Sequence, residues 1–108
     1  MSDIVKDTID LTKSDKQLNE LAFNDFANKV RSALLDLWTM GIDVPLNIRG
    51  TRDQIDSFMT SLKREKRYMD SYMQNGLNDP RTLSSKHELM RSVERFEKET
   101  GLRWPFKN

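Results

Sequence analysis

Apolar residues recur at helical spacing in three stretches of this chain, each opened by a capping side chain and closed by a glycine. The first stripe is Leu18, Leu21, Ala22, Phe26, Val30, Ala33, Leu34, Leu37 and Trp38, with Phe23 widening it. Steps of three and four keep one face of a helix apolar. Ser14 with Gln17 reads as a capping box, and Gly41 stands where a left-handed residue ends a helix. The pattern predicts a helix over 15–40. Beyond it Val44, Leu46 and Ile48 alternate with a period of two, as a strand over 44–48 with one buried face does. Pro45 lacks a ladder N–H and confines that strand to an edge. Ile9 and Leu11, in an arm or short strand over 1–13, alternate likewise. The partner of 44–48 is therefore that arm, the same segment of a second copy, or another protein.

Thr51 and Gln54 form a second capping box. Ile55, Phe58, Met59, Leu62, Met69, Tyr72 and Met73 give the stripe of a helix over 52–74, closed by Asn75-Gly76. Glu65 and Lys66 interrupt that stripe, so the helix is expected to leave its core contact near that turn. Residues 75–85 read as a loop with Asp79-Pro80 as its turn. Ser85 and Glu88 are a third capping box, opening a helix over 86–100 on Leu89, Met90, Val93 and Phe96, which Gly101 stops. The tail, 101–108, is too apolar for water and is expected to fold back on this helix. The fold class is mainly α: a small three-helix domain spanning 1–108, with at most one short strand pair and a folded-back aromatic C-terminal tail.

Composition limits what this domain can do. Leu, Ile, Val and Phe supply 26 of the 108 residues, enough for a small core only. Some apolar surface is therefore expected to need a partner. No apolar run approaches the ~18 residues that span a bilayer, and no signal peptide is expected from Met1-Ser2-Asp3-Ile4. Cysteine is absent and His87 is the sole histidine, so thiolate and multi-histidine metal sites cannot be built. The four glycines are isolated, which leaves no phosphate-cradling loop. Glu94 and Glu97 share a face, but Arg91 and Lys98 lie within a turn of them, as in surface ion pairs. The reading is a protein with no catalytic residues, no metal and no cofactor.

The net charge of +1 is unevenly spread: 1–48 hold five basic and eight acidic residues, 49–108 thirteen and nine. Lys63, Arg64 and Arg67 on the second helix, with Arg91 and Arg95 on the third, form two basic rows. Tyr68 and Tyr72 lie beside them as base-stacking candidates. That is the alternative function, a DNA- or RNA-binding accessory protein, weighed against interleaved glutamates and a pI near 8.0. The favoured function is protein–protein binding through Val44, Leu46 and Ile48 on the open strand and Trp104 and Phe106 in the tail. The rival reading places Trp104 and Phe106 in the core of their own chain. A homo-oligomer is the other expectation from an open strand edge.

Several pieces of the second half stand together: Gly50-Thr51 leading to Gln54, Glu65-Lys66-Arg67-Tyr68, Gly76-Leu77, and Asp79-Pro80-Arg81-Thr82. They continue through Lys86, Leu89 and Val93 to the run Phe96-Glu97-Lys98-Glu99-Thr100-Gly101-Leu102-Arg103-Trp104-Pro105-Phe106. In these, residues 49–107 resemble a C-terminal helical module of small tailed-bacteriophage proteins. The resemblance implies a virion component or a host-directed factor, placed in the virion or the host cytoplasm, with a phage or host protein as partner.

Overall fold

A computed structural model describes residues 8–14, 18–40 and 47–106. Their order is β1 (Thr8–Asp10), α1 (Glu20–Met40), β2 (Asn47–Arg49), α2 (Arg52–Asn75) and α3 (Pro80–Thr100). The fold is mainly helical with one short strand pair, as the periodicity predicts.

β1 and β2 run parallel, with Thr8, Ile9 and Asp10 opposite Asn47, Ile48 and Arg49. Parallel strands need a long crossover, and α1 supplies it. Leu11 N–H extends the ladder to the Arg49 carbonyl at 2.8 Å. Ile9 and Leu11 are buried, as period two requires, and Ile48 packs against the core they join. β2 therefore finds its partner in the arm of its own chain. Val44 and Leu46 lie outside the described residues.

The first helix starts later than the capping box at Ser14 suggests. Asn19 caps it, its Oδ1 accepting the Ala22 N–H at 2.8 Å, and asparagine is as good a cap as serine. Ser14 is held elsewhere, against Gly101. Phe26, Val30, Ala33, Leu34 and Leu37 are buried, whereas Leu21 is 79% exposed. Leu21 precedes Phe26 by five residues, which at 100° per residue turns it away from the buried stripe.

α2 begins as predicted: Gln54 N–H donates to Thr51 Oγ1 at 3.1 Å, and Thr51 N–H to Gln54 Oε1 at 2.9 Å. The third helix corrects the prediction by six residues. Asp79 is its N-cap, accepting the Arg81 N–H at 2.8 Å, and Pro80 is its first residue. Asp-Pro signals a turn and equally a cap followed by the one interior position that tolerates proline. The loop is thus only 76–79, and Ser85 and Glu88 lie inside α3.

With so short a loop, α2 and α3 form an antiparallel hairpin. The start of α2 meets the end of α3 (Gln54 Nε2 to Glu99 O, 3.3 Å), and their near ends meet through Ser71 and Thr82 hydroxyls 2.9 Å apart. Ser57, Ser61, Thr82 and Ser92 are buried in this hairpin, small enough for close approach of the helices. Ser57 and Ser92 spend their hydroxyls on the Gln54 and Glu88 carbonyls. Ser61 Oγ is buried with no hydrogen-bond partner. Ser61→Ala removes that unsatisfied hydroxyl and improves helix propensity, so it should stabilise the fold by about 1 kcal/mol. A thermal melt should show a rise of about 4–8 °C; a fall would mean that the hydroxyl has a partner in solution.

The tail closes the core as expected. After the left-handed Gly101 (φ 74°), Leu102 and Trp104 turn inward. Trp104 meets Phe96 edge-on at 5.2 Å and Phe58 at 6.0 Å, with Phe106 against its other side at 5.9 Å. Arg103 lies over the Phe23 ring at 4.1 Å, tying the tail to α1.

Candidate functional site: the hairpin of the second and third helices

The hairpin carries the features with chemical potential, and it distributes them differently from the sequence reading. Trp104 is 3% exposed, so it is a core residue of its own chain and no surface anchor. Phe106 is half-buried between Trp104 and the Arg31 guanidinium. Ile48 is half-buried and paired with Ile9. Among the described residues, none of the partner-binding candidates is left standing free.

The basic rows fare otherwise. Facing positions on the two helices bring Arg64, Arg91 and Arg95 around one cleft of about 150 Å³, with Ser57, Thr60 and Ser92 completing its lining. Arg64 is anchored: its Nη1 donates to the Glu88 carbonyl at 3.1 Å and to Ser92 Oγ at 2.6 Å. Arg95 pairs with Asp56 at 3.0 Å across the rim. Arg67 lies outside the lining, exposed and loosely paired with Glu88 at 3.5 Å, and Lys63 is exposed. The tyrosines do not join the cleft. Tyr68 packs against the core, and Tyr72 stands half-exposed near the end of α2.

The far end of the hairpin is apolar. Tyr72 and Met73 in the last turns of α2, Leu77 in the loop and Leu83 in the first turn of α3 are 50, 72, 50 and 52% exposed. The stripe pattern assigns Tyr72 and Met73 to the core. Both are exposed instead, within a turn beyond Asp70, which accepts the Trp38 Nε1 hydrogen from α1 at 2.9 Å. Leu77 and Leu83 lie in the stretch 75–85 that the sequence predicts as a loop, where no apolar stripe places them. The signal available was two leucines among turn residues that need none.

Glu65 is the residue that sequence reasoning misplaced most. Read as diluting a basic run and pushing the helix off its core, it is 5% exposed and accepts the Trp104 indole N–H at 2.8 Å. Burial raises its carboxyl above the usual glutamate range, and the indole donor partly offsets this. The available signal was its position in the Phe58, Leu62, Met69 stripe, together with a tryptophan needing an acceptor. Asp70 plays the matching part for Trp38 and also pairs with Lys66 at 2.7 Å.

Among the described residues no group of three or more acidic or imidazole side chains is placed to hold a metal ion, and no helix is long and apolar enough to cross a membrane. His87 is exposed on α3. In comparison with known proteins, no family model, no curated protein and no solved structure matches the chain.

Proposed function

We propose that this is a non-enzymatic bacteriophage protein that works by binding another protein, as a virion component or as a host-directed factor in the host cytoplasm. The observation that carries the reading is the apolar end of the hairpin. A chain with only 26 strong core formers in 108 residues leaves Tyr72, Met73, Leu77 and Leu83 at least half exposed within twelve residues of one another. Single exposed apolar side chains are ordinary, but a group of them marks an interaction surface. Methionine and leucine there suit an adaptable apolar contact, and tyrosine is favoured in interface anchors. The phage setting rests on the resemblance of residues 49–107.

The double variant Met73→Asp, Leu77→Asp tests this. Both side chains are exposed, so its melting temperature should stay within a few degrees of the parent. Affinity capture from infected cells should recover one protein in stoichiometric amount with the parent chain, and at least tenfold less with the variant. Light scattering on the purified chain shows whether that partner is a second copy. Equal capture by both chains would remove the hairpin end from the interface. No stoichiometric partner, with a monomer by light scattering, would remove the function.

A further inference from the structure

We propose that the cleft between α2 and α3 is a second binding site, one that grips the phosphodiester backbone of nucleic acid without reading its bases. Three guanidiniums from two helices converge on a space of about 150 Å³, and among the described residues only Asp56 pairs its carboxylate with a lining residue. Arg64 is set in place by bonds from one terminal nitrogen to the Glu88 carbonyl and Ser92 Oγ. Its remaining N–H groups are left to donate. Arg91 and the Thr60 hydroxyl have no hydrogen-bond partner among the described residues, although both line the same space. Ser57 and Ser92 give their protons to backbone carbonyls and serve as walls. The donors available to a ligand are thus guanidinium and hydroxyl groups, the set that a phosphate's oxygens accept from.

A backbone is favoured over an isolated phosphate because the positive charge continues beyond the cleft. Arg67 follows one turn after Arg64 on α2, exposed and only loosely paired with Glu88 at 3.5 Å, the exposed Lys63 adjoins Arg64 in the chain, and Lys98 follows Arg95 on α3. Among the described residues no aromatic ring lines the cleft, so none of them stacks on bases there. The site therefore acts through phosphate contacts, which position but do not specify.

Fluorescence anisotropy of the full chain with a labelled 20-base-pair DNA duplex tests this. Three phosphate contacts give a salt slope near −2.7, so affinity should fall about 40-fold between 50 and 200 mM salt. A duplex of unrelated sequence should bind equally. Arg91→Ala should reduce the slope by about 1, and Arg91→Glu should weaken binding at least tenfold. Both should melt like the parent, because Arg91 is exposed and unpaired. Arg81→Ala, which removes an arginine paired with Asp79 at the hairpin end, should leave binding unchanged. Absence of salt-dependent binding at 50 mM would overturn the proposal. So would an equal loss in Arg81→Ala, strong dependence on base sequence, or binding of a phosphoserine peptide with none to DNA.

Discussion

Replacing Trp104 with alanine is expected to cost about 3–5 kcal/mol, close to the whole stability of a small domain. The indole is 3% exposed and touches Phe58, Phe96 and Phe106, so its loss opens the aromatic cluster that holds the tail. It also strips Glu65 of its donor. The two effects separate in Trp104→Phe, which keeps a ring but removes the N–H. Near neutral pH this variant should still lose about 1.5–3 kcal/mol, because a buried carboxylate is left unsatisfied. Adding Glu65→Met should recover much of that loss, since removing both partners is cheaper than removing one. Urea unfolding of the four chains in this cycle gives the coupling directly. Additive losses would mean that the Glu65–Trp104 bond is not formed in solution.

The same pair sets a pH dependence. The folded state holds the Glu65 proton more tightly than the unfolded state does, because burial raises its carboxyl above the ordinary value of 4.5. The folded form then binds more protons, so its stability from this group is fully present below the unfolded value and is lost as pH rises through the folded one. Glu65→Gln keeps an acceptor oxygen for the indole and removes the charge. It should be more stable than the parent at pH 7, with the gap closing towards pH 4.5. A gap that widens on acidification would reverse the assignment.

Gly101→Ala should be the next most damaging small change, at about 2–4 kcal/mol from left-handed strain plus overpacking. Gly101 has φ 74°, and a Cβ there would lie 2.7 Å from Ser14 Cβ. Strain and collision are separable. Asparagine tolerates the left-handed region, so at an open helix cap it would recover most of the loss. Here Gly101→Asn should do no better than alanine, because the Ser14 contact remains. Thermal melts of the two variants decide this, and full recovery by asparagine would show that Ser14 does not press on the cap.

These predictions depend on contacts that no local pattern announces, and the limits of the sequence follow the same line. The Thr51–Gln54 capping box, the stops at Gly76 and Gly101 and the inward Ile9 and Leu11 were legible because each is decided within a few residues of chain. The start of α3 was misread because Asp79-Pro80 satisfies a turn and a helix cap equally well. Neighbours in sequence cannot choose between them; the seam of the hairpin, closed by the Ser71–Thr82 contact, does. The arginines of the candidate cleft were visible as two rows, but their meeting was not.

The sequence by itself determined three amphipathic helices and an apolar tail, since hydrophobic period, caps and glycine stops act over one or two turns; that the arm pairs with 47–49 was one of three alternatives and was decided by the tertiary structure. Only the tertiary structure decided which side chains those elements bury and which they leave out. Glu65 and Trp104 are 39 residues apart, and Arg64 and Ser92 are 28 apart. An acid on an apolar stripe either faces water or finds a buried donor, and that choice exists only once a distant segment has docked. Met73 is 72% exposed although its period places it in the core. Local periodicity says which face is apolar; the packing of distant segments says how much of that face is covered.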